Sequence, residues 1–199
     1  MEPAQVRAVR TPKALLEVRP LRAEEAPPVV RYFHGASDAD LDRMGVVDRS
    51  RLPAPEEWTA RLAAAIRSPG ASSFYLAWLV DGEAVGFSSL KNLRPGDSAD
   101  IHLHMWSAPH RGQGHGAVLF CLAALDAYER FGLRRIACEP KASNPMPNRM
   151  LAKVGFPLTK TYVGASSELS RTTQLNRYDV RRDVAEGFLL ANGLRQAKP

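Results

Sequence analysis

The segment HMWSAPHRGQGHGAVLFCLAALDAYERFG, residues 104–132, constrains this chain more than any other. A strand of alternating polar and apolar residues runs into Arg111-Gly112-Gln113-Gly114-His115-Gly116, and a long apolar helix follows at once. Glycines at alternate positions let the backbone turn tightly and approach a ligand closely. The first amides of the helix have no intrahelical acceptors, and the helix dipole adds partial positive charge to them. Together they form an anion cradle of phosphate size.

Glycine spacing decides which cradle this is. A Walker loop ends in Gly-Lys-Ser/Thr, and no lysine follows Gly116. A dinucleotide fingerprint needs G-x-G-x-x-G and a ribose-binding acid about 20 residues further on, and neither is present. The pattern that fits is R-x-x-G-x-G, read on Arg111, Gly114 and Gly116. Downstream, Asn144 precedes a short amphipathic segment in which Leu151, Lys153, Gly155 and Phe156 spell Leu-x-Lys-x-Gly-Phe. In this order and at this separation, the two motifs resemble the GCN5-related N-acetyltransferase (GNAT) superfamily over roughly Leu16 to Arg182. The long region ahead of the loop is loosely similar to the RimJ/RimL-type branch.

The patterning supports the same architecture. ALLEVRPL alternates like a strand, and helical stretches follow in AEEAPPVVRYFHG, SDADLDRMG and PEEWTARLAAAIR, the last opened by Pro55. SSFYLAWLVDGEAVGFSSLKNL is a hairpin turning at Asp81-Gly82. A strand over Asp100–Trp106, the apolar helix, a strand over Arg135–Glu139, a helix from about Pro147 to Val154 and two further strands complete the order. The expected fold class is α/β: a single-domain, GNAT-like, mixed and mostly antiparallel sheet with helices on both faces. Residues 1–12 are expected to be a loose N-terminus, 13–182 the acetyltransferase-like domain, and 183–199 a weakly helical tail.

Composition narrows the remaining classes. At 199 residues with 45% apolar content, the chain fits one domain with a sizeable core. No apolar run has the length of a membrane span and the start lacks a signal-peptide core, so the expectation is a cytoplasmic protein with no membrane partner. The net charge of +6 comes from arginines scattered along the chain, without the clustered patch and interleaved aromatics of a nucleic-acid binder. Cys121 and Cys138 lie in apolar surroundings and read as buried small hydrophobes.

The resemblance implies acetyl-CoA as co-substrate and a primary amine of a small molecule, peptide or protein N-terminus as acceptor, with homodimerisation left open. It places the pyrophosphate on Arg111, Gly112, Gln113, Gly114, His115 and Gly116. The pantetheine arm lies beside the preceding strand, where amides near Met105, Trp106 and Ser107 meet it and polarise the thioester carbonyl. Asn144 falls where the family contacts the cofactor. By strand alternation Asp100, His102, His104 and Trp106 share one face. Asp100 stands where histone-acetylating relatives carry a catalytic carboxylate, and an imidazole titrating near neutrality can take the ammonium's proton. His104, nearest the thioester, would act directly and His102 through water. Asp38, Asp40 and Asp42 could attract a cationic amine, or simply complement a helix dipole.

A His-x-His pair with Asp100 is part of a zinc set, but no convincing fourth ligand accompanies it, and no metal is expected. The chain departs from the family at the general acid, since the positions where relatives place Tyr or Ser hold Leu151 and Pro147. Acid catalysis is dispensable in principle, because a thiol of pKa about 8.5 leaves tolerably as thiolate. The alternative to an N-acetyltransferase is therefore a catalytically weak acyl-CoA-binding module of the same fold.

Overall fold

The computed structural model describes residues 6–46, 49–68, 72–165 and 172–194. Eight strands form one sheet: β1 (Arg7–Arg10), β2 (Leu15–Pro20), β3 (Phe74–Val80), β4 (Glu83–Arg94), β5 (Ser98–Met105), β6 (Arg135–Cys138), β7 (Leu158–Gly164) and β8 (Thr173–Asp179). Their spatial order is β1-β2-β3-β4-β5-β6-β8-β7. Every pairing is antiparallel except β5 with β6. That one parallel step follows from the helix between them, because a strand that returns through a crossover helix re-enters in the same direction.

Six helices cover the sheet: α1 (Ala26–His34), α2 (Asp38–Arg43), α3 (Pro55–Arg67), α4 (His115–Phe131), α5 (Pro145–Val154) and α6 (Arg182–Ala191). Ten consecutive residues of α4, Leu119 to Tyr128, are buried, as expected of a helix apolar all round that lies between a sheet and further helices. Its one acid in that run, Asp126, accepts from the Arg130 guanidinium at 2.8 Å. The α4 side of the sheet contributes Leu16, Trp78, Leu90 and Ile101 to the main core. The opposite side packs Ala77, Leu79 and Phe87 against α1 and α3 in a second core.

Several boundaries differ from expectation for identifiable reasons. The chain is not loose up to residue 12: Arg7–Arg10 pairs with β2, burying Val9, and Arg7 is ion-paired with Glu129. Helix α5 begins at Pro145 rather than Pro147, because Asn144 caps it by accepting from the Met146 amide and Pro145 suits the first helical position. Helix α6 packs against α4 with Ala185 and Leu189 buried, so this part of the tail belongs to the core.

The feature that positions a site is a divergence. β5 and β6 pair only over Ser98–Asp100, whereas β5 continues beside β4 as far as Met105. Beyond Asp100 one edge of β5 stands open, and it leads directly to the glycine loop.

Candidate active site

Gly112 and Gly114 take left-handed φ values of +75° and +86°, which other residues adopt only with strain. Gly114 is the N-cap of α4, and no side chain caps that end. A Cβ at Gly114 would meet nothing within 4 Å, so the space over the first turn is open. Gln113 donates to the Pro109 carbonyl at 2.9 Å and holds the loop from beneath. His115 is turned into the protein, with Nδ1 buried and unpartnered, and it does not line the cleft. The remaining parts of the cradle are in place: uncapped amides, left-handed glycines and an open approach.

Trp106 and Ser107 differ from expectation. Both amides donate to the Val85 carbonyl, at 3.0 and 3.1 Å, so they face β4 and are not available to a thioester. Peptide groups alternate along a strand, which turns those of Leu103 and Met105 to the open edge. The Met105 carbonyl already meets Arg111 there, at 2.9 Å from Nε and 2.7 Å from Nη2. Leu103 was not singled out from the sequence, because choosing between alternate amides requires the strand register.

The alternation of side chains is as expected. Ile101 lies in the α4 core, with Leu103 and Met105 packed against it, while His104 and Trp106 face α1. His104 is stacked on Phe87, with ring centroids 5.0 Å apart, and edged by Phe33 and Tyr32 at 5.2 and 5.7 Å. Burial among these rings pulls its pKa down to about 3, and the neighbouring His102 and Lys91 push the same way. His102 is pulled down to about 4, by burial and then by Lys91, while Asp100 and Glu139 oppose the shift. Neither imidazole titrates near neutrality, which removes the premise for preferring them over a carboxylate, although both are unprotonated there.

Asp100 accepts from Asn92 Nδ2 at 2.7 Å and stands 3.9 Å from Arg177, which is held by Glu139 at 2.5 Å. It is a member of a charged cluster and does not line the cleft. Of the three α2 acids, Asp38 binds Arg49 and Asp42 binds Lys141, the latter at 2.8 Å through both oxygens. Neither of them lines the cleft. Asp40 does, but it is committed to Arg43 and Ser37. Asn144 donates to the Arg43 carbonyl at 2.9 Å, and with Lys141–Asp42 this clasps α2 to the β6–α5 loop.

These parts border one cleft of ≈ 1810 Å³. A pocket for a single small ligand occupies roughly 300–1,000 Å³, so this one has room for two substrates. Gly112, Gly114 and Gly116 line it, and so do the aromatic side chains Tyr32, Trp58 and Tyr75 and the ring of His102. The aromatic wall has no local sequence signal, since it forms only when α1 and α3 fold over β4 and β5. Of the remaining tyrosines, Tyr128 is bonded to the Val180 carbonyl and Tyr178 to Asn148. Among the described residues, no group of three or more His, Cys, Asp or Glu is arranged to hold a metal.

An open strand edge leading into an uncapped, glycine-rich helix N-terminus is the geometry of a site for an extended ligand with an anionic end. Residues 16–157 match the family model described as the acetyltransferase (GNAT) domain, and the chain belongs to that family. Among solved structures, it is similar to Mycobacterium smegmatis RimJ in complex with CoA-disulfide, with 19% identity, 98% of each chain covered and a TM-score of 0.73. It is also similar to RimL, a ribosomal L7/L12 α-N-protein acetyltransferase in complex with coenzyme A, with 15% identity over 86% of this chain and 96% of the other and a TM-score of 0.65. Vibrio cholerae spermidine N-acetyltransferase in complex with CoA and spermine shares 13% identity over 86% of this chain and 98% of its own, with a TM-score of 0.69. At these identities the likeness is one of fold. No curated protein sequence matches the chain.

Proposed function

We propose that the protein is an acetyl-CoA-dependent N-acetyltransferase that acts on a primary amine by direct attack on the thioester. The observation that carries this reading is the open edge of β5 between Asp100 and Met105, running into the uncapped N-terminus of α4 and facing unprotonated imidazoles. Acetyl-CoA supplies an activated acyl group with a thiol as leaving group. The first amides of α4 and the left-handed loop hold the pyrophosphate. The Leu103 and Met105 peptides line the arm, and a free amide there stabilises the developing oxyanion.

His102 is the better proton acceptor of the pair. Its cation would be formed beside Asp100 and Glu139, whereas the groups acting on His104 besides burial are His102 and Lys91, both of which oppose a positive charge. His104 then shapes the aromatic wall. Tyr32, a phenol kept protonated by burial, lines the cleft and is suited to meet the departing thiolate. The test is incubation with acetyl-CoA and a library of amines, reading free thiol and acylated product by mass spectrometry. Catalytic release of thiol with an acylated amine supports the reading. Tight CoA binding without turnover on any amine replaces it with the acyl-CoA-binding module.

A further inference from the structure

We infer that the acceptor is an amine on an apolar, aromatic-sized body that also carries a carboxylate or comparable anionic group, and that Lys91 receives this group; the inference rests on the acyl-transfer reading above. It starts from the ion pairs around the cleft. The acids that line it are Glu25, Asp40 and Glu139, and each is already matched. Glu25 is bound by Arg19 at 2.6 Å, Asp40 by Arg43, and Glu139 by Arg177 at 2.5 Å. Of the lining cations, Arg31, Lys91, Arg111, Arg149 and Lys153 have no ion pair among the described residues, and Lys91 is the one that stands on the sheet beside His102, the proposed proton acceptor.

Lys91 lies opposite Asp100 in the β4–β5 register, on the face that carries Ser89 and His102. The groups around it are accounted for: Asp100 is hydrogen-bonded by Asn92, and Arg177 bridges toward Asp100 and Glu139. A second ammonium on the acceptor meets only lining carboxylates that already hold an arginine, whereas an anionic group meets a lysine with no ion pair. The aromatic box is not a vacant cage for an ammonium either, because the His104 ring fills it. The partly exposed faces of Tyr32, Trp58 and Tyr75 instead offer contact to a planar or apolar body.

Three probes on one scaffold test this: benzylamine, 4-(aminomethyl)benzoate and 4-(aminomethyl)benzylamine, which are neutral, anionic and cationic at the far end. Binding of each to the CoA-saturated protein is followed by tryptophan fluorescence, and thiol release from acetyl-CoA is followed separately. We expect the benzoate to bind about tenfold or more tighter than the diamine, and Lys91→Gln to shrink that ratio at least about threefold. Equal or tighter binding of the diamine, a ratio unchanged in Lys91→Gln, or no binding of any probe overturns the inference. Charge-ordered binding without thiol release keeps the anion site and removes the transferase. Turnover that favours the diamine does the reverse.

Discussion

The Arg111 guanidinium donates twice to the Met105 carbonyl oxygen, from Nε at 2.9 Å and Nη2 at 2.7 Å, and so ties the glycine loop to the last residue of β5. The motif's arginine is thereby a strut, since the bonds it makes are to the strand. They fix the distance between the phosphate-holding turn and the open edge that lines the arm.

Two substitutions separate the strut from the cradle. Gly114→Val places a β-branched residue at φ +86° in the space above the first turn of α4. We expect CoA affinity to fall about tenfold or more and stability to drop by roughly 1–2 kcal/mol. Arg111→Ala leaves that space open but releases the end of β5, so kcat should fall more than CoA affinity. Calorimetry with CoA and steady-state kinetics distinguish the two; undiminished CoA affinity in Gly114→Val would dissolve the loop assignment.

The thiols should be inert in the native protein. Burial pushes Cys121 up to about 12 and moves Cys138 in the same direction. Because the thiolate is the reactive form, a chromogenic disulfide should label neither cysteine until denaturant is added. Rapid native labelling at neutral pH would show that α4 or β6 opens far more readily than its packing implies.

The clasp between α2 and the β6–α5 loop gives a third expectation. Asn144 caps α5 and donates to the Arg43 carbonyl, while Lys141 holds both oxygens of Asp42. Asn144→Ala loses a helix cap and the bond to Arg43, for a combined cost of about 1–2 kcal/mol by denaturant unfolding. Lys141→Ala breaks a bridge whose carboxylate is largely exposed, so the stability change should stay under about 1 kcal/mol. Amide exchange across α2 should quicken in both variants. A protected, unchanged α2 would mean that the clasp restrains nothing.

The fold was legible in the sequence where local chemistry decides it. The Asp81–Gly82 hairpin turn, Pro55 at a helix start, and the glycines around α4 are each specified by a few adjacent residues. Alternation along β5 likewise separated Ile101, Leu103 and Met105 from His102, His104 and Trp106. What was not legible depends on partners distant in the chain. Which β5 amides stay free is fixed by Val85, the matching of Asp42 by Lys141, and the imidazole environment by Phe33 and Phe87. No spacing rule within the sequence carries that information.

Acid should destabilise the protein through the two histidines. Both folded-state pKa values lie below the ordinary 6.5, at about 4 and about 3, so the unfolded chain binds more protons as pH falls below neutrality. Their stabilising contribution is complete above about pH 6.5 and is lost progressively toward pH 4 and below. Each residue adds at most about 1.4 kcal/mol per pH unit within that window. Thermal unfolding of the wild type and of a His102→Gln, His104→Gln double variant across this range checks it. The variant's curve should be flatter between pH 6.5 and 4, and parallel curves would mean that both rings stay solvated.

The same depressed values decide the shape of the activity profile. If His102 takes the proton, it is already unprotonated well below neutrality, so kcat/KM should rise with pH only as the free amine ionises, with no inflection near 6.5. An acceptor of low amine pKa should give a flat profile above about pH 5 and a falling limb below it, which moves the base's own ionisation into view. His102→Gln should lower kcat about 10²-fold and abolish that acidic limb. In His104→Phe, which keeps the aromatic packing but cannot accept a proton, most of the turnover should remain, because that ring's neighbours leave a cation there without a counter-charge. The reverse outcome, turnover lost with His104 and kept without His102, would return the proton to the ring nearest the thioester.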